Sequence, residues 1–197
     1  YADLWGLDAI RAIEAWSTAR GEGAVVAVVD TGLDAAHPDM AANVWVNPGE
    51  DLDGNGRADA SDRNGVDDDG NGYIDDSAGW DAANGDDDPF DDFGHGTHVA
   101  GTIAATANNG LGIAGVAPEA SIMALKGFDA GGGGDLSKIA ELILYAVDNG
   151  ADVVNASWGD YAKSLSLSNA ILRLREDGII LVAAAGNDFR NIDVTPY

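Results

Sequence analysis

The chain is 197 residues long, 46% apolar and free of cysteine, a size and composition that suit one globular domain and exclude disulfides and thiolate metal sites. Its net charge of -24, from 34 acidic and 10 basic residues, argues against nucleic-acid and anionic-membrane partners. No stretch approaches the roughly 18 consecutive apolar residues of a membrane span.

In chain order, helical periodicity predicts a first helix over 7–20. The β-branched run "AVVAVVD" (24–30) follows as a strand ending in Asp30. An acidic segment occupies about 47–77. Beyond it, "GHGTHVAGTIAA" opens a helix predicted over 95–108, with His95 at its mouth. A strand at 121–127 leads through "GGGGD" to a helix at 135–148, for which Asp135 is the expected N-cap and "DNG" the stop. A strand at 151–157, a helix at 163–177 and a strand at 178–186 complete the series. Alternating apolar strands and crossover helices give an α/β fold class: three layers, a mostly parallel sheet with helices on both faces, and a single domain over 1–197. In such sheets ligands gather at the carboxyl ends of the strands, where Asp30, Ser157 and Asn187 fall.

Sixteen of the 34 acids lie between Glu50 and Asp92, with Arg57 and Arg63 as the only bases there. Such a density repels itself unless cations occupy it. Within it, "DLDGNGRAD" (51–59) and "DDDGNGYID" (67–75) repeat one template, D-x-D-G-N-G-x-x-D, sixteen residues apart. Oxygens at alternate positions around a glycine turn suit a hard cation, as in the first half of an EF-hand loop. Asp51, Asp53, Asn55 and Asp59, then Asp67, Asp69, Asn71 and Asp75, are therefore candidate ligands. Mixed carboxylate and amide oxygens favour calcium over magnesium. Neither copy has the flanking helices or the position-12 glutamate of an EF-hand. A solvated acidic loop is the plainer reading, and the repetition weighs against it.

Serine-type hydrolysis needs a base on the hydroxyl, a carboxylate that orients the base, and donors for the oxyanion. Singly, Asp30, His95 and Asn187 are ordinary strand-end, helix-start and turn residues. Together, "VAVVDTGLDAAHPDM", "GHGTHVAGTIAA", "VVNASWG" and "LVAAAGN" come in one order on one α/β scaffold, and this resembles the subtilisin-like serine protease (subtilase) family over essentially the whole chain. The resemblance implies Asp30 as the triad carboxylate, His95 as the general base and Asn187 as a side-chain oxyanion donor. It implies that Ser157, Trp158 and Gly159 line a cleft for an extended peptide or protein substrate. It also implies Asp39 as a calcium ligand beside the loop 107–112. His98 is expected to pack against the sheet in a structural role, and His37 to be a loop residue.

The family's nucleophile motif, G-T-S-[ML]-[AS]-x-P, does not occur, and no serine here follows Gly-Thr. The expectation is thus a subtilase catalytic domain incomplete at its C-terminus, inactive alone, and held by a C-terminal remainder or by self-association. A non-catalytic calcium-binding module on the same scaffold is the alternative. A zinc hydrolase using Asp30 and His95 is disfavoured because "HGTH" lacks the His-Glu spacing of helical zinc motifs. Weak calcium loops work at roughly millimolar free calcium, which favours secretion.

Overall fold

The computed structural model describes residues 4–160, 162–188 and Asn191. Five strands, β1 (Val25–Asp30), β2 (Gly79–Asp81), β3 (Ser121–Lys126), β4 (Val153–Ala156) and β5 (Ile180–Ala183), form one sheet in the order β2-β3-β1-β4-β5. All pairings are parallel. The helices are α1 (Trp5–Ala9), α2 (Ala12–Ala15), α3 (His95–Ala104), α4 (Leu136–Asp148) and α5 (Leu165–Glu176).

The central strands β1 and β3 read as nearly continuous apolar runs because both faces of the sheet are covered there. On one face Ala27, Val29, Met123, Leu125 and Val154 pack with Ile139, Leu142, Ile143 and Tyr145 of α4 and Ala170 and Leu174 of α5. On the other, Val26, Val28, Ile122 and Ala124 pack with Ala100 and Ala104 of α3. The expected three-layer architecture is therefore the one observed. No helix among the described residues is long and apolar enough to cross a membrane.

Several boundaries differ from the periodicity. The helix expected over 7–20 is two short pieces, because Arg11 adopts a left-handed conformation (φ 58°) between them. α3 stops at Ala104 rather than running to 108: Ala105 is extended, and its carbonyl accepts from Gly115 N–H at 2.9 Å. β2 was not anticipated, being three residues long and embedded in the acidic stretch. α4 starts as expected, with the Asp135 side chain accepting from Ser137 N–H at 2.7 Å. Ser164 caps α5 in the same way through Leu167 N–H.

Candidate active site

Parallel strands place their carboxyl ends along one edge of the sheet, and the polar residues concentrate there. Asp30 ends β1 and is 2% exposed. Gly94 and His95 open α3, and the His95 ring reaches back to the strand end. His95 Nδ1 lies 2.7 Å from Asp30 Oδ1, which also accepts from Thr31 N–H at 2.8 Å. Two residues 65 apart in sequence are thus in direct contact. A carboxylate on Nδ1 fixes the ring's orientation and leaves Nε2 as the working nitrogen. The imidazole is 47% exposed, so a reactant can reach it. Asp30 Oδ2 is buried without a partner, an unsatisfied acceptor of the kind that concentrates at functional sites.

A network that sequence reasoning missed holds this pair. Asp91 is buried and accepts from the Thr31 hydroxyl (2.8 Å), Gly94 N–H (2.7 Å), Thr97 N–H (2.8 Å) and the Thr97 hydroxyl (2.7 Å). It caps the first turn of α3 from outside the helix. Burial pushes its carboxyl up, but the bonds from Thr97, Gly94 and Thr31 outweigh burial and hold it below the usual carboxylate range. The signal available in the sequence was an Asp four residues before a helix-opening His. Lys126, in register with Asp30 on β3, is 1% exposed and donates to Thr31 O (2.8 Å) and Asp92 Oδ1 (2.5 Å).

Ser157 follows β4, and its hydroxyl accepts from Asn155 Nδ2 at 2.9 Å. The Trp158 indole donates to Val29 O at 2.8 Å and packs on Phe128, so the ring braces the end of β1; Gly159 is exposed just beyond it. Asn187 lies exposed in a bend past β5. Asp39 is buried, accepting from Asn109 Nδ2 (2.6 Å) and Ile113 N–H (2.8 Å), so it does meet the loop after α3. His37 Nδ1 accepts from Asp39 N–H, and His98, expected to pack against the sheet, is instead exposed on α3.

In the acidic segment each repeat folds around its first aspartate. Asp51 accepts from Asn55 and Gly56 N–H, and Asp67 accepts from Gly70, Asn71 and Gly72 N–H. Asp53 and Asp69 accept from Asn55 and Asn71. Two carboxylate groups converge: Asp51, Asp53 and Asp62, and Glu50, Asp69 and Asp76, each with ligand oxygens within 4.8 Å of one another. Asp62 occupies position 12 counted from Asp51, where an EF-hand has its glutamate. Asp59 turns to Ser61 and Asn55 instead, and Asp75 to the N–H groups of Asn64 and Gly65.

The matches to known proteins follow the same residues. A model of the subtilase family (Peptidase S8) matches residues 21–196. Thermitase of Thermoactinomyces vulgaris is 37% identical over 183 residues, covering 93% of this chain and 54% of that protein. The major intracellular serine protease of Bacillus subtilis is 36% identical over 186 residues, 93% of this chain and 49% of its own length. The crystal structure of fervidolysin from Fervidobacterium pennivorans, described as a keratinolytic enzyme related to subtilisin, superposes with a TM-score of 0.69 at 34% identity, over 93% of this chain and 24% of that one. This chain spans about half the length of the first two. The ordered Asp and His motifs, the three-layer parallel sheet and the family match over residues 21–196 together make the chain a member of the subtilase family.

Proposed function

We propose that this chain carries the acid–base half of a serine endopeptidase acting on extended peptides or proteins. The observation that supports it most directly is the 2.7 Å contact between His95 Nδ1 and Asp30 Oδ1 at the carboxyl end of the sheet. In this reading His95 Nε2 takes the proton of a serine hydroxyl as that oxygen attacks the scissile carbonyl, then returns it to the leaving amine. Asp30 keeps the ring in the required tautomer and stabilises the imidazolium. The Asn187 amide donates to the developing oxyanion. Backbone groups of 157–159 pair with the substrate strand, which the bracing of Trp158 on Val29 O would hold in place. Among the described residues no serine is hydrogen-bonded to His95, so the nucleophile is proposed to come from a segment bearing G-T-S that is not among these residues.

The acidic segment and Asp39 are proposed to bind calcium. The convergence of Asp51, Asp53 and Asp62, with no Lys or Arg paired to them among the described residues, supports this for the first repeat. At Asp39 the Asn109 amide would have to present its oxygen rather than its NH2. Bound calcium supplies charge neutralisation and cross-linking of loops. Calcium dependence of this kind favours an extracellular setting, although two relatives are named as intracellular.

The test compares residues 1–197 alone with the same residues joined to a G-T-S segment, using peptide hydrolysis and labelling by a serine-directed fluorophosphonate. Only the joined protein should label and turn over, and Asp30→Asn should lower its turnover by about 10^4-fold. Specific labelling of residues 1–197 alone would reject the missing-nucleophile reading.

A further inference from the structure

We propose that Glu50, Asp69 and Asp76 form a second, inner cation site that takes calcium and locks the acidic segment onto the body of the domain. Neither repeat template contains Glu50 or Asp76. Glu50 precedes the first repeat and Asp76 follows the second, so the site closes the segment at its base rather than within a loop.

Four observations support it. First, one ligand oxygen from each of the three side chains lies within 4.8 Å of the others. Second, Glu50 is 0% exposed and Asp76 0% exposed, and among the described residues Glu50 Oε2 has no hydrogen-bond partner although Oε1 accepts from Asp68 N–H at 2.8 Å. A fully buried carboxylate oxygen left without a hydrogen-bond donor, on a side chain that converges with two further carboxylates, is an acceptor that a cation would satisfy. Third, none of the three is in an ion pair among the described residues, so no side-chain cation offsets the charge. Fourth, the backbone has been brought in close to build the cluster: a Cβ on Gly49 would lie 2.3 Å from Asp69 Cβ.

The surroundings fit a hard divalent ion. The Asn47 amide bridges Asp69 Oδ2 and Asp76 Oδ1, both at 2.9 Å, and the Asn71 amide donates to Asp76 Oδ2 at 3.0 Å. Tyr145 of α4, buried in the core, donates to the same Asp76 oxygen. These bonds orient the carboxylates as outer partners orient metal ligands. Carboxylate-only donors without histidine or thiolate favour calcium over a transition metal. Through Tyr145 an ion here is linked to the α4 side of the core, whereas among the described residues the hydrogen bonds of Asp51, Asp53 and Asp62 stay within the acidic segment.

The site rests on the calcium reading of the segment and is independent of the protease reading. The experiment is calorimetric titration of chelated residues 1–197 with calcium, for the parent, Glu50→Gln, Asp76→Asn and Asp53→Asn, with thermal melts in chelator and in calcium. Glu50→Gln and Asp76→Asn should each weaken the same binding step by more than the roughly 10–100-fold cost of losing a ligand's hydrogen-bond partner, while Asp53→Asn leaves that step intact. Glu50→Gln is nearly isosteric and removes a buried unpaired charge. Its melting temperature in chelator should equal or exceed the parent's, and its gain on adding calcium should be smaller. The proposal is overturned if Glu50→Gln and Asp76→Asn bind like the parent, or if Glu50→Gln is equally destabilised with and without calcium. If Asp53→Asn alone removes a step, the inner site fails and the first-repeat reading survives. No binding by the parent overturns both.

Discussion

Gly96 follows the His95 ring directly, and its missing side chain is what lets α3 rest on the end of β1. A Cβ there would lie 2.2 Å from Gly32 O and 3.2 Å from Asp30 Cβ. The first contact is to backbone, so the helix itself would have to retreat. Replacing a helical glycine by alanine gains up to about 1 kcal/mol of helix propensity, but an overpacked contact of this kind costs about 1–3 kcal/mol or more. The cost wins, and the displacement falls on the His95–Asp30 bond. Gly101, in the same helix, is the internal control: a Cβ there meets only Ile113 Cδ1, at 3.8 Å. Gly96→Ala should therefore lower the melting temperature while Gly101→Ala leaves it unchanged or raises it, and both are readable in one denaturation series. Equal effects of the two substitutions would mean that the close approach is not what fixes the pair.

At the scale of the element, α3 is positioned by a cap that lies outside it. Gly94 at the N-cap offers no side chain, and Asp91 takes over by accepting from Phe93, Gly94 and Thr97 N–H groups. Asp91→Ala leaves these donors and the hydroxyls of Thr31 and Thr97 short of their acceptor, and should cost about 2 kcal/mol near neutral pH. The Asp91 carboxyl is held below its ordinary range in the folded chain. Its contribution is thus complete above the unfolded carboxylate pKa of about 4 and is lost as pH falls through the lower folded value. Denaturant midpoints of parent and Asp91→Ala should accordingly converge as pH falls below about 4, and a gap that stays constant would assign the stabilisation to something other than the ionised carboxylate. This cap illustrates what the sequence reveals and what it hides. β1 was legible as a β-branched run, and β3 and β4 as short, mainly apolar runs, because burial on both faces leaves few polar positions inside them. Asp30 and His95 were legible because their motif is long. Asp91, Glu50, Asp62 and Asp76 were not: each is one acid among sixteen in an acidic stretch, and only the folded chain distinguishes a buried acceptor from a solvated one. The break at Arg11 and the three-residue β2 carry no periodic signal at all.

Across the whole molecule, the acidic segment leads into one edge strand of the sheet, and an exposed apolar face lies on the other edge strand. β2, which follows the acidic segment, is one edge, and β5 is the other. Among the described residues β5 pairs with β4 alone, and Ile180 and Val182, on one face of it, are 60% and 50% exposed. Leu172 of α5 is 53% exposed as well. An unpaired strand edge with apolar neighbours is adhesive, since a second copy can complete both its hydrogen bonds and its burial. A net charge of -24 opposes that encounter. The two effects differ in range: repulsion between exposed charges is felt over a Debye length of about 10 Å at 0.1 M salt and about 3 Å at 1 M, whereas the edge acts only in contact. We predict that residues 1–197 associate through β5 when salt screens the charge, passing from monomer at low ionic strength to dimer or larger species at 1 M. Val182→Lys places a charge on the contact face without touching the core strands, and should hold the chain monomeric under both conditions. Sedimentation velocity at the two salt concentrations reads this directly. A parent that stays monomeric at 1 M salt would show that the β5 edge is not adhesive, and association that Val182→Lys fails to suppress would place the contact elsewhere on the surface.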